Sequence, residues 1–169
     1  MKIELADSYG FCFGVKRAIR IAENTKDSAT YGELIHNAEE INRLKEHFNV
    51  KTLNTMQDLE NENSIIIRTH GITKKDLDAF KSQNKKIIDA TCPFVSKPQN
   101  IVEKMSEEGY YIVIFGDKNH PEVKGIMSYA LKNVFVVLST DELMDKKISN
   151  KVAVVSQTTK KVEEFTKIV

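Results

Sequence analysis

Short apolar runs alternate with segments of helical periodicity along this chain, and that alternation restricts its fold more than any other feature. Residues 64–68 (SIIIR), 86–89 (KIID), 111–115 (YIVIF), 134–138 (VFVVL) and 152–155 (VAVV) read as buried strands. Residues 2–6 and 29–31 read as two further strands. Helical spacing fills the gaps at 15–24, 38–46, 74–83, 96–108, 122–131 and from 160 onward. Such alternation predicts an α/β fold with mainly parallel sheets covered by helices. The 169 residues suffice for two similar small units, 1–92 and 93–169. Their boundary is expected near 91–98, where a strand end, Cys92, Pro93 and Pro98 meet.

Composition narrows the function. A net charge of +1 gives no bulk attraction to nucleic acid or to an anionic membrane, so an anionic ligand would need a few local groups. No stretch approaches the roughly 20 apolar residues of a membrane span, and the N-terminal residues lack a signal-peptide pattern. A cytoplasmic location is therefore expected. Two cysteines in such a chain are buried apolar side chains or functional thiols rather than a structural disulfide.

In open parallel sheets, ligands bind beyond the carboxyl ends of the strands. The chemically distinctive residues gather at those places. Cys12 follows the 2–6 run in YGFCFGVKRA, and His36 follows 29–31 in GELIHN. His70 follows SIIIR in RTHG, and Cys92 follows KIID in DATCP. His120 and Glu122 follow YIVIFGD in KNHPEVKG, and Gln157, Thr158 and Thr159 follow VAVV. One shared site is the expectation.

Each residue also has a plainer reading. Cys12 and Cys92 could be small buried side chains, although both stand where a helix begins, a position that favours thiolates and bound anions. Loop histidines are commonly structural or solvent-facing; His36, His70 and His120 lack the spacing of a zinc helix, which favours anion binding over metal ligation. Glu122 could stabilise a helix start or act as a general acid. Thr158 could be a helix cap. The glycines form neither a P-loop nor a dinucleotide fingerprint.

Taken in order, GFCFGVKRA, GELIHN, RTHG, DATCPFV, HPEVKG and SQTT resemble the 4-hydroxy-3-methylbut-2-enyl diphosphate reductase family, also called IspH or LytB, over essentially the whole chain. The resemblance implies three α/β units around a 4Fe-4S cluster held by three cysteines. It implies reductive removal of a hydroxyl group from an allylic diphosphate, giving isopentenyl and dimethylallyl diphosphate in the non-mevalonate isoprenoid pathway. Ferredoxin or flavodoxin would supply electrons. By motif, Cys12 and Cys92 resemble two cluster ligands. His36, His70 and His120 resemble the diphosphate-binding histidines, Glu122 the proton donor, and Thr158 the threonine that places the substrate hydroxyl. The chain finishes at EEFTKIV with no third cysteine. The expectation is a fragment covering two units of three, inactive alone. A metal-free phosphate-binding regulatory module and a two-cysteine zinc or thiol-redox protein are the competing readings.

Overall fold

The computed structural model describes residues 3–7, 9–144, 146, 148 and 151–169. The elements run α1 (Phe13–Glu23), β1 (Ser28–Tyr31), α2 (Ala38–Phe48), β2 (Val50–Leu53), β3 (Ser64–Ile67), α3 (Lys74–Ser82) and β4 (Lys86–Asp89). They continue with α4 (Pro93–Glu107), β5 (Tyr111–Phe115), α5 (Pro121–Met127), β6 (Val134–Val137), α6 (Asp141–Met144), β7 (Val152–Ser156) and α7 (Val162–Thr166). Four strands form one sheet in the order β2-β1-β3-β4, and three form a second in the order β6-β5-β7. Every pairing is parallel. The fold is α/β, as the alternation predicts.

Side-chain alternation in β3 divides the first core. Ile66 packs with Ala18, Ile19 and Ala22 of α1 and Leu44 of α2. Ile65 and Ile67 face the other way, with Phe80 of α3, Leu59 and Ile72. The second sheet buries Ile112 and Ile114 against Val102 of α4 and Val123 and Ile126 of α5. Helix starts are specified locally. Asn37 accepts a hydrogen bond from the Glu40 amide at α2, and Thr73 accepts one from the Asp76 amide at α3. Across the sheets, the Lys74 amide donates to the Ser128 hydroxyl at 2.9 Å, and the Lys74 ammonium pairs with Glu103 at 2.7 Å. The start of α3 is thereby fastened to the end of α5 and the flank of α4.

Three expectations need correction. Residues 3–6 form no strand, and Lys2 lies outside the described residues. Ile3 and Leu5 are 79% and 76% exposed, and none of the recorded strand pairings includes this run. An alternating pattern cannot supply the neighbouring strand that its backbone groups require. Cys12 therefore follows a segment without strand pairing, with Gly10 at φ +96° two residues before it. The strand β2 went unforeseen because VKTL carries only a weak apolar signal; it forms by pairing with β1 at the sheet edge, Ser28 opposite Val50. Finally, α4 begins at Pro93 rather than 96, because proline suits the first helical position.

Phe80 is fully buried and meets the Tyr31 ring edge-on at 5.4 Å between centroids. Phe80→Ala should therefore cost about 3–5 kcal/mol in urea unfolding. A loss below about 1 kcal/mol would show that this side of the first sheet has no tightly packed core.

Candidate functional site

Three loops of the first sheet are bound together through one residue. Thr69, 5% exposed, donates to the Leu34 carbonyl from both its amide (3.2 Å) and its hydroxyl (3.0 Å). Its own carbonyl accepts from the Cys92 amide at 2.9 Å. Thr69 thus ties the loop after β3 to the loop after β1 and to the turn before α4. As a result the His36 and His70 rings stack, with centroids 4.8 Å apart.

The cysteines are set by helix starts. Cys12 is the N-cap of α1 and Cys92 the N-cap of α4, neither capping with its side chain. Arg17 of α1 reaches across to the end of β4, donating to the Thr91 carbonyl at 3.1 Å and the Asp89 carbonyl at 3.3 Å. Gly14 permits the close approach: a Cβ there would lie 2.6 Å from the Cys92 sulfur. A cavity of about 400 Å³ results, lined by Cys12, Gly14, Thr69, His70, Cys92 and Thr158 among others.

The second sheet contributes the acid-bearing side. Glu122 is 1% exposed, and burying a carboxyl group is costly unless its oxygens are bonded. Thr158 meets both: its amide donates to Oε1 at 2.7 Å and its hydroxyl to Oε2 at 2.8 Å. The turn is held further by Gln157, whose amide donates to the Phe115 carbonyl and whose Oε1 accepts from the Asp117 amide. His120 caps α5, its Nδ1 accepting from the Glu122 amide at 3.2 Å. With Nδ1 accepting, a neutral His120 carries its proton on Nε2.

His70 is pushed down to about 4 from an ordinary 6.5, first by burial and then by the nearby His36, Arg68 and His120. At neutral pH it therefore meets an anion as a neutral hydrogen-bond donor.

The structure thus brings Cys12, Cys92, His70 and Thr158 to one cavity. His36 joins through its stack on His70, and Glu122 through its bonds to Thr158. His120 lies near enough to His70 to influence its charge. Among the described residues, no group of three or more His, Cys, Asp or Glu side chains is placed to hold a metal ion. Sequence reasoning missed Arg17 and Thr69, whose partners are carbonyl groups on other elements and leave no local pattern.

A family model described as "LytB protein" matches residues 3–169. A Campylobacter hominis protein named 4-hydroxy-3-methylbut-2-enyl diphosphate reductase is 72% identical over 168 residues, covering 99% of this chain and 61% of that protein. A similarly named protein from Campylobacter fetus subsp. fetus is 69% identical over 169 residues. The chain thus spans about 61% of the length of these curated relatives. A solved structure titled as (E)-4-hydroxy-3-methyl-but-2-enyl diphosphate reductase, the terminal enzyme of the non-mevalonate pathway, superposes with a TM-score of 0.81 at 36% identity. It covers 95% of this chain and 59% of that one. The corresponding reductase from Plasmodium falciparum gives 0.84 at 27% identity, covering 96% and 53%.

Gly14→Ala should cost about 1–3 kcal/mol through overpacking against Cys92, even though alanine is the better helix former by about 1 kcal/mol. In a Cys92→Ala background, which removes the sulfur but keeps a Cβ 3.2 Å away, the same change should cost clearly less. Equal costs in both backgrounds would remove the Gly14–Cys92 contact from the account. For His70, the unfolded chain takes up its proton first as pH falls. Its share of stability is whole above pH 6.5 and is withdrawn as the pH drops towards 4. An NMR titration of the His70 ring should give a midpoint near 4, and a midpoint at or above 6.5 would contradict the buried, cation-flanked setting.

Proposed function

Since the chain belongs to the LytB protein family, we propose that it forms part of a 4-hydroxy-3-methylbut-2-enyl diphosphate reductase. The reaction is reductive removal of the substrate hydroxyl: two electrons and two protons enter, the C–O bond breaks, water leaves, and isopentenyl or dimethylallyl diphosphate results. The observation that carries this reading is one cavity lined by Cys12, Cys92, His70 and Thr158, with the buried Glu122 fastened to Thr158.

A 4Fe-4S cluster is the cofactor this reading requires. Cys12 and Cys92 fit two of its corners, because both begin helices and both line the same cavity. Because the chain spans about 61% of the length of these relatives, the remaining protein ligand is assigned to the part of the protein outside it, read as a third unit beside 1–92 and 93–169. When bound, such a cluster supplies the electrons and a Lewis-acidic iron for cleaving the C–O bond.

The chain's own residues do the rest. His36, His70 and His120 hold the diphosphate, His120 through the Nε2 left free by its capping bond. Glu122 delivers a proton to the departing oxygen. Its bond to the Thr158 hydroxyl suits that task, because a hydroxyl donates to a carboxylate and accepts from a carboxylic acid. Thr158 can therefore keep Glu122 oriented in both protonation states and pass a proton toward the substrate. Electrons come from a ferredoxin- or flavodoxin-type donor, and the enzyme works in the cytoplasm on a small allylic diphosphate. Alone, the 169 residues should be inactive.

The test uses a chain extended through a third cysteine and reconstituted anaerobically with iron and sulfide. There Glu122→Gln should keep the cluster's visible absorption and lose roughly 10²–10⁴-fold in turnover. Near-normal turnover would return Glu122 to the role of a helix-start carboxylate. A stable cluster with reductase activity in the 169 residues alone would overturn the three-unit assignment.

A further inference from the structure

The tetrapeptide Arg68–Gly71 has two faces. Thr69 and His70 line the cysteine cavity. Arg68 and Gly71 line a different one, a cleft of about 320 Å³ between the first sheet and α5. From the first sheet's side its walls are Tyr31, Gly32, Asn54, Ile72, Thr73 and Asp76; from the other side they are Pro121, Lys124 and Gly125.

The charges of this cleft are unbalanced. Neither Arg68 nor Lys124 makes an ion pair among the described residues. The Asp76 carboxylate also lines the cleft, but it accepts a hydrogen bond from the Thr73 hydroxyl at 2.8 Å as part of the α3 cap. Arg68 is held in place at its base: Nε donates to the Gly71 carbonyl at 3.3 Å. Gly32, at φ +75°, leaves the room that the guanidinium takes, since a Cβ there would lie 2.7 Å from one terminal nitrogen. The fork is therefore positioned by backbone on both sides and has no carboxylate partner.

A buried donor lies behind the cleft. Gln99 of α4 is 4% exposed, and its Nε2 has no acceptor among the described residues. That nitrogen sits 2.8 Å and 3.3 Å from where side chains at Gly71 and Gly125 would begin, and both glycines belong to the cleft lining.

We propose that this cleft is a second anion site, separate from the cysteine cavity, that binds the phosphate group of a small molecule between Arg68 and Lys124. A planar guanidinium matches two phosphate oxygens at once, and an ammonium adds a point charge. The Tyr31 ring, Ile72 and Pro121 form an apolar wall for the organic part of such a ligand. Because Arg68 and His70 share one short loop, occupation of the cleft bears directly on the loop that carries His70. The assignment stands on Arg68 and Lys124 and does not depend on the reductase reading.

Titration of the ¹⁵N-labelled chain with inorganic phosphate, at constant ionic strength, tests it. The Gly32 and Gly125 amide signals should move saturably at millimolar phosphate. In Arg68→Gln/Lys124→Gln the apparent affinity read from these two signals should fall by about tenfold or more, since charge-assisted contacts are lost. If the double variant does not fold, Arg68→Lys replaces it; keeping the charge without the fork, it should still weaken binding measurably. Shifts confined to the loops of His36, His70 and His120 would overturn the cleft site while leaving the diphosphate reading intact. So would Gly32 and Gly125 shifts that persist unchanged in the variant that folds.

Discussion

The hydrogen bonds of Thr69 are the constraint on which the cavity depends. Three loops leave the carboxyl ends of β1, β3 and β4, and nothing in a parallel sheet by itself obliges such loops to meet. Thr69 makes them meet by donating twice to Leu34 and accepting once from Cys92, all while almost wholly buried. Buried backbone groups must be paired, so a shift of any one loop would strand a donor or an acceptor of the others. The stack of His36 on His70 and the placement of Cys92 follow from this knot.

The second sheet reaches the same cavity by a different device. Its contribution is a carboxyl group that could not stay buried without partners. Glu122 is kept inside by the amide and hydroxyl of one residue, Thr158, which itself lines the cavity. The acid is therefore shielded from water and joined to the cavity through a hydroxyl that can move a proton. His120 adds to this by using Nδ1 to cap α5, which in the neutral ring leaves the proton on Nε2. In both sheets, a local structural need and the proposed chemistry are met by the same bonds.

The legible and illegible parts of the fold differ in kind. SIIIR, KIID and YIVIF could be read as strands because a run of branched apolar residues is itself the signal, and β3, β4 and β5 occupy those places. The 2–6 run, KIELA, carried only an apolar alternation, and residues 3–6 form no strand. The opposite happened at VKTL, where pairing with β1 makes a strand from a segment with little apolar character. No local pattern marks Arg17, although it joins α1 to the end of β4. The Arg68–Lys124 cleft could not be read from sequence although Arg68 and Gly71 lie in RTHG and Pro121, Lys124 and Gly125 in HPEVKG, because only the fold brings those two segments together.

By itself, the sequence determined the α/β class, the parallel character of the sheets, the helix starts that bear Cys12, Cys92, His120 and Glu122, and the loops that bear His36, His70 and Thr158. Those properties follow from periodicity and from the residue types that end strands and start helices, which act over a few neighbouring residues. Tertiary structure decided which turns meet: the stack of two histidines, the seat of Glu122 on Thr158 and the approach of Gly14 to the Cys92 sulfur. The physical reason is that each of these contacts depends on a hydrogen-bond partner or a free volume supplied by a distant segment. No local pattern encodes the position of that segment.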